Sequence, residues 1–157
     1  MIGFVRDLAL SLPERKILLQ VKSFFRNSPS GRDYVRDCTD GLPNVIPVND
    51  NVYDILKNVT YSVSDPSSIV VEAMSLGRAS FLADVSSWQR SCYFREFDEI
   101  LVRSGNEAGR KIRALEAGTF SYPWQKLENV AYLSDDYFMN RVRGRLQKID
   151  AADRLAS

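Results

Sequence analysis

VSDPSSIVVEAMSLGRA, residues 63–79, sets a polar turn and an apolar helix-like run side by side. Just upstream, Val59-Thr60-Tyr61-Ser62-Val63 has the β-branched and aromatic composition of a strand. Just downstream, Ala79-Ser80-Phe81-Leu82-Ala83 reads as another strand. Between them Val70, Val71, Ala73, Met74 and Leu76 supply the buried positions of a helix, and Gly77 suits its C′ position. Strand, turn, helix, strand is a βαβ unit, and it predicts a parallel sheet. Asp65 is the predicted N-cap and Pro66 the first helical residue, where a missing N–H costs nothing. Ser67 and Ser68 then fall in the first turn, whose amides lack partners within the helix.

A turn of this kind faces the carboxyl edge of the sheet, where open α/β folds bind their ligands. Free amides, two hydroxyls and the helix dipole suit a phosphate. Glu72 lies four residues beyond Ser68, on the same helix face, where a carboxylate can accept hydrogen bonds from the vicinal hydroxyls of a ribose. The same residues also make an ordinary helix start, since an acidic residue in an early turn stabilises any helix. Spacing alone leaves both readings open.

Working outward, Ile2, Phe4, Val5, Leu8 and Leu12 form a helical stripe over residues 2–11, ended by Pro13. Lys16 to Lys22 is a short apolar run between charges and predicts a strand covered on both faces. Arg26 to Gly31 reads as a loop and Asp33 to Asp37 as a short helix. Asn44 to Val48 is a further strand, after which Asp50 or Asn51 can cap a helix through Tyr53, Ile55 and Leu56. Glu99 to Val102 predicts an edge strand, and Glu107 to Ala117 a helix stopped by Gly118. Tyr122-Pro123-Trp124 reads as a loop and Tyr137 to Ile149 as a terminal helix. The expected architecture is one α/β domain over residues 1–157, three-layered and Rossmann-like, with strands near 16–21, 44–47, 59–63 and 79–83 parallel in one sheet.

Composition narrows the chemistry. The formal net charge of +1 argues against a polybasic surface for nucleic acid or membrane lipid. The chain has no His, which excludes Cys/His zinc sites and any step that needs imidazole as base. Cys38 and Cys92 show no metal-ligand spacing, and neither a disulfide nor a metal or cofactor is expected. No apolar run approaches the roughly 20 residues that span a bilayer. Arg6 and Asp7 stand where a signal peptide would be apolar, so a cytoplasmic protein is expected. Trp88, Tyr93 and Phe94 suit a core or interface better than base stacking. Arg141, Arg143, Arg145 and Lys148 read as a solvated helix face, and Asp135-Asp136 as a helix start.

Residues 59–84 resemble the C-terminal, donor-binding half of GT-B glycosyltransferases, most closely the bacterial enzymes of capsule, teichoic acid and surface polysaccharide synthesis. The resemblance rests on Ser64-Asp65-Pro66-Ser67-Ser68, Glu72-Ala73-Met74, Leu76-Gly77-Arg78 and Asp84. Ile17 to Lys22 is similar to the strand that in such enzymes brings a basic residue to the donor phosphates, and Asn44 to Leu56 to the segment before the signature. The resemblance implies a nucleotide-sugar or other nucleoside diphosphate ligand, with Ser67 and Ser68 at its phosphates, Asp65 in the same turn and Glu72 at its ribose. It makes Lys22 and Arg26 candidate phosphate partners. Related sugar-nucleotide epimerases share the signature.

The chain departs from the family in having Lys22-Ser23-Phe24-Phe25 where many relatives carry a Lys-Pro-His motif. The family's catalytic base usually lies in an acceptor domain that has no counterpart here. No catalytic residue is therefore assigned; the chain reads as a separate C-terminal domain, a truncated relic or one subunit of a split enzyme, the last with an acceptor-domain subunit as partner. Two other readings stand beside this one: a non-catalytic α/β association module, and an epimerase or hydrolase of sugar nucleotides.

Overall fold

The computed structural model describes residues 1–85 and 97–131. Short apolar runs alternate with helices throughout: α1 (Ile2–Ser11), β1 (Ile17–Gln20), α2 (Ser23–Arg26), α3 (Pro29–Thr39), β2 (Val45–Val48) and α4 (Val52–Asn58) come first. Then follow β3 (Tyr61–Ser64), α5 (Ile69–Ser75), β4 (Ala79–Ala83), β5 (Leu101–Val102), α6 (Gly105–Glu116) and α7 (Trp124–Ala131). The chain divides into two compact units, Met1–Tyr122 and Pro123–Ser157; α7 lies in the second, and these strands with α1–α6 lie in the first. The aromatic cluster at 88–94, the terminal helix expected over 137–149 with its arginines, and Asp135-Asp136 lie outside the described residues.

All observed pairings are parallel, as the βαβ pattern requires. β1 pairs with β2 from Ile17↔Val45 to Gln20↔Val48. β3 pairs with β4 from Tyr61↔Ala79 to Ser64↔Leu82, and β4 pairs with β5 at Leu82↔Leu101 and Ala83↔Val102. The α/β class holds. The single sheet does not: among the described residues the ladders form two sheets, β1-β2 and β3-β4-β5. Side chains rather than a ladder bridge the start of β1 to the start of β3. Arg15, just before β1, pairs with Glu116 of α6 at 2.6 Å, and at the start of β3 burial, then the nearby Glu116 carboxylate, push the Tyr61 phenol up.

Burial identifies the centre. Every residue of β4 is buried, so its two faces are both covered, and α5 packs on β3 and β4. β1 is different. Ile17 and Leu19 pack with Val5, Ala9, Leu42 and Val45 against α1. Leu18 and its register partner Ile46 remain 37% and 36% exposed on the opposite face. The expectation of a strand covered on both faces therefore fails at β1. Its apolar run reflects one packed face and one partly open face.

Two further corrections concern loops. Arg26 to Gly31 is not a loop; only Asn27 and Ser28 separate α2 from α3. Ser28 caps α3 by accepting the Gly31 amide at 3.1 Å, with Pro29 in the first helical position. Trp124, expected in a loop, is the first residue of α7.

α1 and α6 cross with almost no side chain between them. A Cβ at Gly105 would meet the Phe4 carbonyl and the Leu8 amide of α1, and one at Gly109 would meet the Ser11 side chain. Close approach is what Gly allows here. Arg113 of α6 adds a hydrogen bond to the Ser11 carbonyl at 2.6 Å. Ser104 caps α6 by accepting the Glu107 amide at 3.1 Å, and the Glu107 carboxylate accepts the Arg103 amide at 2.7 Å. Lys111 donates to the carbonyls of Asp98, Glu99 and Leu101, fixing the chain that leads into β5.

β5 is too short to satisfy all of β4. Leu82 donates to Ile100, but among the described residues no strand pairs with Ser80, two residues earlier on the same edge, on that side. The Tyr122 hydroxyl takes that place, accepting from the Ser80 amide at 3.0 Å and donating to its carbonyl at 2.5 Å. The Ser80 hydroxyl bonds Ser62 of β3 at 2.6 Å, so this fully buried residue is satisfied throughout.

Gly105→Ala should lower unfolding free energy in urea by at least about 1–3 kcal/mol, because backbone must move to admit the methyl group. Gly3→Ala is the internal comparison: a Cβ there meets nothing within 4 Å, and the helix gains up to about 1 kcal/mol. Tyr122→Phe leaves the amide and carbonyl of Ser80 unpaired in the core and should cost about 1–3 kcal/mol. Burial raises the Tyr122 phenol above its ordinary value of 10.0, and burial does the same for Tyr34. A phenol with a raised folded-state value stabilises fully below its unfolded value, and that stability is lost as pH rises past it. Urea titrations from pH 8 upward, about neutral for both groups, should show stability falling beyond about pH 10, less steeply in Tyr122→Phe.

Candidate functional site

The parallel register puts the ends of β3, β4 and β5 on one edge, so the turn 65–68, Asp84 and Arg103 share the carboxyl edge of this sheet. The edge position of the turn follows the reading of the sequence. The turn itself differs from it. α5 begins at Ile69, its N-cap is Ser68 with helical dihedrals (φ −59°, ψ −20°), and no side chain caps it. Asp65 is not the N-cap and Pro66 is not the first helical residue. The Ser67 hydroxyl accepts the Ile69 amide at 3.3 Å, a local bond that closes the turn on itself before the helix starts. Ser64 is turned back likewise, its hydroxyl donating to the Asp65 carbonyl at 3.0 Å.

The late start has a chemical consequence. A capping Asp65 would have taken the amides two or three residues on. Because it does not, the amides of Ser67 and Ser68 have no hydrogen-bond partner among the described residues. Pro66 contributes no N–H, and the Ser68 side chain is exposed. Two amides and the Ser68 hydroxyl are therefore available to a ligand or to water at this turn. The helix behind them is seven residues long, which limits any contribution of its dipole.

Glu72 sits one turn into α5, and its amide donates to the Ser68 carbonyl at 3.1 Å. Its side chain is half-buried, yet among the described residues its carboxylate has neither a hydrogen bond nor an ion pair. Gly77, at φ 70°, ends the helix as predicted: it donates to Met74 and Arg78 donates to Ala73, which turns the chain into β4. Asp65, Ser67, Ser68 and Glu72 thus come together on one turn-and-helix segment. Lys22 and Arg26 stand apart from it on another. Lys22 is exposed directly after β1, Arg26 closes the single turn of α2, and neither bonds to any of those four residues.

A side chain absent from the sequence reading links the two segments. Tyr34 of α3 packs edge-to-face on Phe25 of α2, with ring centroids 5.9 Å apart. Its hydroxyl lies within electrostatic range of the buried Cys38 thiol and of Asp65. Burial, then Cys38, then the charge of Asp65 push the Tyr34 phenol up. Burial also pushes the Cys38 thiol up, which leaves it protonated and unreactive. The helical spacing of Tyr34 and Cys38 was a usable signal; the approach to Asp65 was not.

Arg103 is the other residue that sequence reasoning passed over. It lies 3.9 Å from Asp84 and 4.0 Å from Asp98, distances at the limit of an ion pair, and is largely exposed. Such pairs contribute little to stability. Its position after β5 matches that of Asp84 after β4. A shallow groove of about 280 Å³ on α6 is lined by Glu107, Arg110, Lys111, Ala114 and Phe120. None of the expected site residues lines it, and Glu107 and Lys111 are already committed to the backbone. Among the described residues there is no group of three or more Cys, Asp or Glu side chains placed to hold a metal ion, and no helix long and apolar enough to cross a membrane.

No protein-family model matches the chain, and comparison with curated proteins and with solved structures found no match.

If Asp65 is outside the helix, Asp65→Ala should change unfolding free energy by no more than about 0.5 kcal/mol, the range of ordinary surface substitutions. A loss near 1 kcal/mol in urea titration is what removal of an N-cap gives, and would return Asp65 to that role.

Proposed function

We propose that this chain is a glycosyltransferase-like donor-binding domain, a three-layer Rossmann-like half of the GT-B type, which recognises a nucleotide-activated sugar or polyol phosphate used in surface polysaccharide synthesis. It acts together with a separate acceptor domain. The observation that carries this reading is the turn after β3, where among the described residues the Ser67 and Ser68 amides have no hydrogen-bond partner and the half-buried Glu72 carboxylate one turn deeper has neither a hydrogen bond nor an ion pair. Donors at the mouth and an acceptor behind them match a ribonucleoside diphosphate: phosphate oxygens accept at the first, ribose hydroxyls donate to the second. The place of this turn at the carboxyl edge of parallel strands supports the same reading. Lys22 and Arg26 remain candidate phosphate partners from the end of β1, and their contribution requires the ligand to reach across to that segment.

Calorimetric titration with a panel of nucleoside diphosphates tests the proposal. The double variant Ser67→Ala, Ser68→Ala should bind more weakly by roughly 1–3 kcal/mol, with the amides retaining part of the affinity. Unchanged affinity in a variant of unchanged melting temperature would falsify the phosphate assignment. Wild-type protein that binds no member of the panel would favour the association module.

Glu72→Gln separates ribose recognition from phosphate recognition. It should weaken a ribonucleoside diphosphate by about 1–3 kcal/mol while leaving inorganic pyrophosphate unaffected, since only the former offers hydroxyl donors. Equal weakening of both ligands assigns Glu72 to folding or to general charge, and no change in either removes it from the site.

A further inference from the structure

We draw no further inference here: the strongest candidate, the partly exposed apolar face of the β1–β2 pair formed by Leu18 and its register partner Ile46, carries nothing because nothing in the structure shows what covers it.

Discussion

Helices α1 and α6 meet backbone to backbone at Gly105 and close to it at Gly109, and the rest of the first unit depends on that crossing. α1 leads directly into β1, and α6 follows directly from β5. One strand belongs to the two-stranded sheet and the other to the three-stranded sheet. Where no ladder joins the sheets, contact between these helices joins the segments that flank them. The bonds from Arg113 to Ser11 and from Arg15 to Glu116 lie at the same end of the pair and reinforce it. Small residues at both positions let the helices approach closely enough for packing to act along the backbone itself, where interior atoms are dense and a single methyl group is felt.

β4 depends on that scaffold in turn. It is buried along its whole length, and each main-chain group it turns toward an absent neighbour must be satisfied inside the protein. The Tyr122 phenol does so at Ser80 by acting as donor and acceptor through one oxygen, which an ammonium cannot do. Ser62 then ties the same residue to β3, the strand from which the candidate turn departs.

The turn shows the opposite economy. Among the described residues every buried side-chain N or O atom has a hydrogen-bond partner, yet at the carboxyl edge two successive amides and a carboxylate have none. Solvent access makes this tolerable, since water can satisfy exposed donors that would be costly in the core. Concentration of unpaired groups on one short segment is what a binding function needs and what fold stability does not require. On the proposed nucleotide-binding reading, the late start of α5 is what leaves these amides open.

The amino-acid sequence by itself determined the elements whose signals are local. The β-branched run ending in Val63 and the largely apolar run Ala79 to Ala83 became β3 and β4. Asn51 caps α4 by accepting the Tyr53 amide, and Gly77 and Gly118 follow α5 and α6 with left-handed dihedrals, because a cap or a C′ glycine acts within a few residues of itself. The parallel sense of the strands was equally legible, as consequence of the helices between them. The tertiary structure decided what depends on distant neighbours. Nothing around Lys16 to Lys22 encodes that Leu18 stays partly exposed while Leu19 is packed against α1. Nothing around Tyr122 encodes that its hydroxyl completes a strand 42 residues away. The start of α5 belongs to both kinds: Asp-Pro-Ser-Ser is compatible with a cap at Asp65 or a closed turn at Ser67, and the folded chain forms the second.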